Sequence, residues 1–265
     1  MKNFKITFLV FVLFVQSCTE ETTETQTLMR NKAVIIFLDK SDSPHFTAKS
    51  LNNLRNKLIN VVSENLNMCN DKLAIYFIHE NTSSCDLYQS FKISSTLPSN
   101  FSQLNPEDKE RAKRQLQNNL EMEKQLISKV LLTALELPAN KENQTTNGSD
   151  IWGSLHVCHK FFSETDSSTV KHVYYVSDML ECMPNTVNFY KKMPESNPDA
   201  IEIAKQDCKL IMQMWPELKD TRCFAGLEVN VFIPREALDD DKSVSRMEYY
   251  WKTIFEKFGA TYKQN

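Results

Sequence analysis

Glycine is scarce, with four in 265 residues, so the chain has almost no material for the glycine-rich loops that cradle phosphates, and it carries neither a Walker nor a dinucleotide-binding motif. An excess of positive charge is missing as well. The 31 basic and 34 acidic side chains leave a formal charge of -3, without the basic footprint that binding to a polyanion needs, and nucleic acid is not expected as a partner. No Gly-x-Ser-x-Gly elbow or His-Glu-x-x-His helix occurs, which removes the usual signatures of serine hydrolases and zincins. The cysteine spacings match no zinc motif, and there is no internal repeat.

At the N-terminus, Lys2 and Lys5 precede an apolar run from Ile6 to Val15, and Gln16-Ser17-Cys18 comes next. This is the pattern of a secretory leader, too short for a comfortable membrane span. Its ending resembles a bacterial lipoprotein signal. That implies a signal peptide over residues 1–17, lipidation of Cys18, and a protein held at the bacterial cell envelope by a lipid anchor. An ordinary cut after Ser17, giving a secreted protein, is the alternative.

Residues 18–31 are rich in Thr, Glu and Gln. They cannot bury enough apolar surface to offset the entropy of ordering and read as a flexible tether, about 40 Å long when fully extended and about 20 Å as a coil. The remaining span, 32–265, reads as one domain with insertions. Six further cysteines in an exported chain point to disulfides. Cys69 with Cys85 is the expected pair, because the two flank one predicted strand; buried free thiols are the alternative.

Short apolar runs alternate with helical patterns. Strands are expected at Ala33–Asp39, Leu73–Ile78, Val170–Val176 and Leu227–Ile233, and an edge strand or ordered loop within Cys85–Leu97. Helices are expected from Ser43-Pro44 to about Asn65, from Asn105-Pro106 to about Leu137, from Ser149-Asp150 through Phe162, from Asp199 to Met214, and from Val244 to Phe258. The long central helix is basic in its first half and apolar from Ile127 to Leu137, so only the second half should dock. Cys182–Pro198, with three prolines, reads as a surface insertion. The alternation implies an α/β layered fold of Rossmann-like type, a mainly parallel sheet flanked by helices.

Chemistry should gather at the carboxyl ends of the strands. The first strand runs into Asp39-Lys40-Ser41-Asp42-Ser43, a later helix starts at Gly148-Ser149-Asp150, and the third buried strand stops on Ser177-Asp178. Carboxylates and hydroxyls converging on one rim are the oxygen ligands that hard divalent cations prefer. The set resembles the metal-ion-dependent adhesion site of the von Willebrand factor A domain, with Asp-x-Ser-x-Ser matched in full and Ser149 standing where that family has threonine.

The resemblance implies that Asp39, Ser41, Ser43, Ser149 and Asp178 hold Mg²⁺ (or Mn²⁺ or Ca²⁺), directly or through water. It also implies that the cation receives a carboxylate from a protein or peptide partner, making the chain a binding module and not an enzyme. Two alternatives stand beside it. One is a structural or assembly lipoprotein with a vestigial site. The other is a phosphatase of the haloacid dehalogenase type, whose second catalytic aspartate would fall at Ser41. His156 and His159, one helical turn apart, lack a clear third ligand for a transition metal.

Overall fold

The computed structural model describes residues 30–41, 48–138, 148–183, 186–189, 191–233 and 241–264. The expected leader, Cys18, most of the expected tether, and the expected ligand Ser43 lie outside them. Among the described residues no helix is long and apolar enough to cross a membrane.

Among the described residues six strands form one sheet: β1 (Lys32–Asp39), β2 (Lys72–Ile78), β3 (Leu87–Lys92), β4 (Val170–Val176), β5 (Leu227–Phe232) and β6 (Thr261–Gln264). Their order across the sheet is β3-β2-β1-β4-β5-β6, and every neighbouring pair is parallel except β2 with β3. The continuous apolar runs of β1 and β2 and of the second half of β4, Val173–Val176, are explained by this arrangement, since a parallel strand covered on both faces has no side to give to water, while β5 interrupts its run with Glu228 and Asn230. Alternate residues of β1 divide between two cores. Val34, Ile36 and Leu38 pack with α1 (Ala48–Asn65) and α2 (Pro106–Glu136), while Ala33, Ile35 and Phe37 pack with α3 (Ile151–Ser163), α4 (Asn197–Met214) and α5 (Asp241–Lys257). The result is a three-layer α/β fold.

The helix starts are set by local chemistry. The Asn105 side chain accepts from Asp108 N at 2.8 Å with Pro106 in the first turn, and Asp150 caps α3 through Gly153 N at 2.7 Å. Along α2, Ile127, Leu131, Ala134 and Leu135 are buried, so the second half is the docked one. In the first half, Arg111 faces Glu107 and Asp108 and Lys113 faces Glu110, the intrahelical pairing of a solvated helix.

Four expectations need correction. Helix α4 begins at Asn197 with Ser196 as its cap, so Pro198 sits in the first turn, where its missing N–H costs nothing. The segment Cys182–Pro198 is not wholly superficial, because Phe189 is 3% exposed and meets the Tyr250 ring edge-on at 4.7 Å. Strand β6 is additional to the expected set; Gly259 (φ 91°) turns the chain out of α5, and four residues then pair with β5. All six described cysteines are free thiols. Cys69 and Cys85 lie beyond opposite ends of the seven-residue β2, about 20 Å apart by strand rise, whereas a disulfide needs Cα atoms within about 7 Å. Flanking a strand is what keeps this pair apart.

Candidate functional site

The strand order reverses direction between β1 and β4. In open parallel sheets the crevice beyond the carboxyl ends at such a switch point is where ligands bind. Asp39 ends β1 and Ser177-Asp178 come directly after β4, so two of the expected ligands emerge at this crevice. The third segment is brought to the same edge by main-chain bonds: Asp150 N donates to His79 O, just past β2, at 3.0 Å, and Ser149 O accepts from Cys182 N, in the β4 exit, at 3.1 Å.

Asp39 is buried, 6% exposed. Its Oδ1 accepts from Ser41 N (2.9 Å) and Ser41 Oγ (2.6 Å), and its Oδ2 accepts from Ser177 Oγ (2.5 Å). Burial raises its pKa above the usual carboxylate value, opposed by the hydrogen bonds from Ser177 and Ser41. A hydroxyl that gives its proton to a carboxylate turns its lone pairs elsewhere, as a cation would require. Ser177 also accepts from Met179 N at 2.9 Å. In the sequence it is only the polar end of a strand, yet in the fold it joins the exits of β1 and β4.

Asp178 is 1% exposed, and its Oδ1 accepts from Leu180 N at 3.0 Å. Between them, Met179 is buried and adopts φ 61°, a left-handed conformation uncommon for a non-glycine residue. Its carbonyl accepts from Trp251 Nε1 at 2.8 Å, so a side chain of α5 holds the turn. Ser149 is fully buried, and its Oγ has no hydrogen-bond partner. Buried hydroxyls are nearly always paired, and one without a partner calls for an explanation.

Lys40 lies inside the first motif but points away from the crevice. Its Nζ donates to Leu135 O (2.9 Å) and Leu137 O (2.7 Å), satisfying the C-terminal carbonyls of α2, and sits 5.5 Å from the Phe77 ring centroid. Burial lowers its pKa to about 8, against the pull of Asp39. Glu181 is the residue of this rim that sequence reasoning misses most completely. Fully buried, it accepts from Ile151 N (2.8 Å) and Trp152 N (2.9 Å), the first two amides of α3, and from Thr186 Oγ (3.2 Å). Burial, then the charge of Asp150, pushes its pKa well up.

The rim therefore offers two carboxylates, Asp39 and Asp178, with the hydroxyls of Ser41 and Ser149. An all-oxygen set suits Mg²⁺, Mn²⁺ or Ca²⁺ and does not suit a soft metal. Among the described residues no three His, Cys, Asp or Glu side chains are grouped closely enough to hold a metal ion, so hydroxyls would have to complete the shell. His156 sits against Glu217 (Nδ1 to Oε1, 2.5 Å) and His159 faces the Phe224 ring, so the two histidines are engaged separately. No protein-family model matches the chain, and no curated protein matches it.

Proposed function

We propose that the chain is a von Willebrand factor A-like binding module, anchored at the bacterial envelope through Cys18, that uses a divalent cation at the β1–β4 crevice to engage a carboxylate of a protein or peptide partner. The observation that carries this reading is the Ser149 hydroxyl, buried and unpartnered at the strand edge where Asp39 and Asp178 emerge. A cation there would take the lone pair that nothing else takes and would offset the desolvation of Asp39. Asp39 and Asp178 would supply negative charge, Ser41 and Ser149 neutral oxygens, and Ser43 a further hydroxyl. The cation, when bound, supplies a positive centre with a position left for the partner's carboxylate. A single metal contact gives little area, so the loops around the rim must provide the specificity.

A second reading, a structural or assembly lipoprotein with a vestigial site, is favoured by one feature. Both oxygens of Asp39 are already met by serine hydroxyls, so the rim closes on itself without an ion. The phosphatase alternative gains nothing here, because a hydroxyl at position 41 cannot do the acid–base work of a carboxylate. Isothermal titration of Mg²⁺ and Mn²⁺ into the purified protein, beside Asp39→Ala and Asp178→Ala, separates the first two. Saturable binding that both substitutions abolish is the expected result. Heat of binding that survives both would place the ion elsewhere and defeat the proposal.

A further inference from the structure

We infer that Glu181 is the positioning residue of this rim: its side chain fixes where Ser149 sits and ties residues 186–189 to the same point. The inference rests on reading the rim as a cation site, and it adds a residue outside the motif that suggested that reading.

Segment 149–152 is gripped from two sides. On the β2 side, Asp150 N donates to His79 O, and Asp150 Oδ2 accepts from Ser83 N at 3.0 Å. On the β4 side, Cys182 N donates to Ser149 O, and Glu181 Oε2 takes the Ile151 and Trp152 amides. Glu181 also anchors the chain on its C-terminal side. Its main-chain O accepts from Phe189 N at 3.1 Å, Thr186 Oγ donates to its Oε1, and Cys182 bridges Asn188 in antiparallel fashion.

A fully buried glutamate needs partners for its side-chain oxygens, and here they are the N-terminal amides of α3 and the Thr186 hydroxyl. Two carboxylates, Asp150 and Glu181, thus share one helix start next to Ser149. The amides they occupy are closed to a partner's anion. If Glu181 lets go, α3 loses one side of its start, Ser149 is free to shift, and the segment carrying Thr186 and Phe189 loses its tie to the rim.

Glutamine keeps a carbonyl oxygen for the two amides; alanine removes it; aspartate keeps the carboxyl group on a side chain too short to span the gap. The test is amide exchange of the chelated protein together with Mn²⁺ affinity, for wild type and Glu181→Ala, Glu181→Asp and Glu181→Gln. In the alanine and aspartate variants the amides of Asp150 and Cys182, which do not touch the Glu181 side chain, should exchange about tenfold faster, one net hydrogen bond of protection. Mn²⁺ affinity should fall about tenfold or more, as for other residues that orient a ligand, and glutamine should restore both. Faster exchange confined to Ile151 and Trp152, or unchanged Mn²⁺ affinity beside a wild type that binds, would reduce Glu181 to a helix cap and overturn the inference. If wild type binds no Mn²⁺, the cation reading fails and the exchange pattern alone decides the positioning role. Should the alanine variant not fold, the aspartate and glutamine pair carries the same comparison.

Discussion

Two buried aspartates bracket the parallel core, one at each end of the sheet, and they are treated in opposite ways. At the amino end Asp71, 1% exposed, precedes β2 and accepts four donors: Lys32 N (2.8 Å), Asn67 N (2.7 Å), Met68 N (2.9 Å) and Asn31 Nδ2 (3.4 Å). At the carboxyl end Asp39 is met by two serine hydroxyls and one amide, and burial raises its pKa. The first carboxylate ties the start of β1 to the turn after α1 and completes its own hydrogen bonding there. The second stands in a rim with a fully buried glutamate, a left-handed Met179 and an orphaned hydroxyl. One end of the fold completes the hydrogen bonding of its buried carboxylate; at the other, the Ser149 hydroxyl is buried without a partner, the kind of exception that calls for an explanation.

Four measurements sharpen or break this contrast. The largest effect is expected at the amino end, where Asp71→Ala strands several donors and should lower unfolding free energy by about 3 kcal/mol, while Asp39→Asn in metal-free protein should stay within about 1 kcal/mol of wild type. Urea denaturation of both variants reads this directly. Equal losses would erase the distinction between the two ends.

Next comes Ser149→Ala. Deleting a buried hydroxyl without a partner should raise the stability of the metal-free protein by about 1 kcal/mol, yet weaken cation binding. Lower stability together with unchanged binding would mean that the hydroxyl has a partner after all.

The third concerns pH. Asp39, Asp150 and Glu181 all have pKa values raised by burial, so the folded chain holds these protons more tightly than the unfolded one. Their stabilising contribution is complete below the unfolded values, 3.8 for aspartate and 4.5 for glutamate, and is lost as pH rises through the folded values. In chelated protein this contribution should therefore decline from acid toward neutral pH. Saturating Mg²⁺, which favours the ionised carboxylates, should oppose the decline. Urea midpoints across that range, for wild type and Asp39→Asn, test it; identical pH slopes in the two proteins would remove Asp39 from the set of groups responsible. The smallest effect belongs to the surface, where the Arg55–Glu136 pair (2.6 Å, both partners solvent-facing) should contribute less than about 1 kcal/mol, read as the stability change in Arg55→Ala.

Much of the fold is legible in the sequence because its signals are local. Strands β1, β2 and β4 end in apolar runs that stop on polar residues, β5 is closed in the sequence by Pro234, and Asn105-Pro106 and Asp150 announce their helices by side-chain capping. Asp39, Ser149 and Asp178 are legible as a set only because strand ends in a parallel sheet share an edge. The features that escape a sequence reading depend on contacts distant along the chain. Glu181 caps a helix that begins thirty positions earlier, Ser177 bonds Asp39 across 138 positions, and β6 is a strand only because β5 offers it an open edge. Lys40 looks like a filler position within a motif, and its role is visible only where α2 ends against it. The Cys69–Cys85 pairing fails because closeness in sequence is not closeness in space when a whole strand separates the two.

The central claim is that an oxygen-ligated cation sits at the β1–β4 crevice. Its most direct test is the anomalous signal from crystals of the protein grown with Mn²⁺. One strong peak bounded by Asp39, Ser149 and Asp178 is the expected result. Ordered density for these residues with no peak between them, or a peak only at a distant surface position, would contradict it.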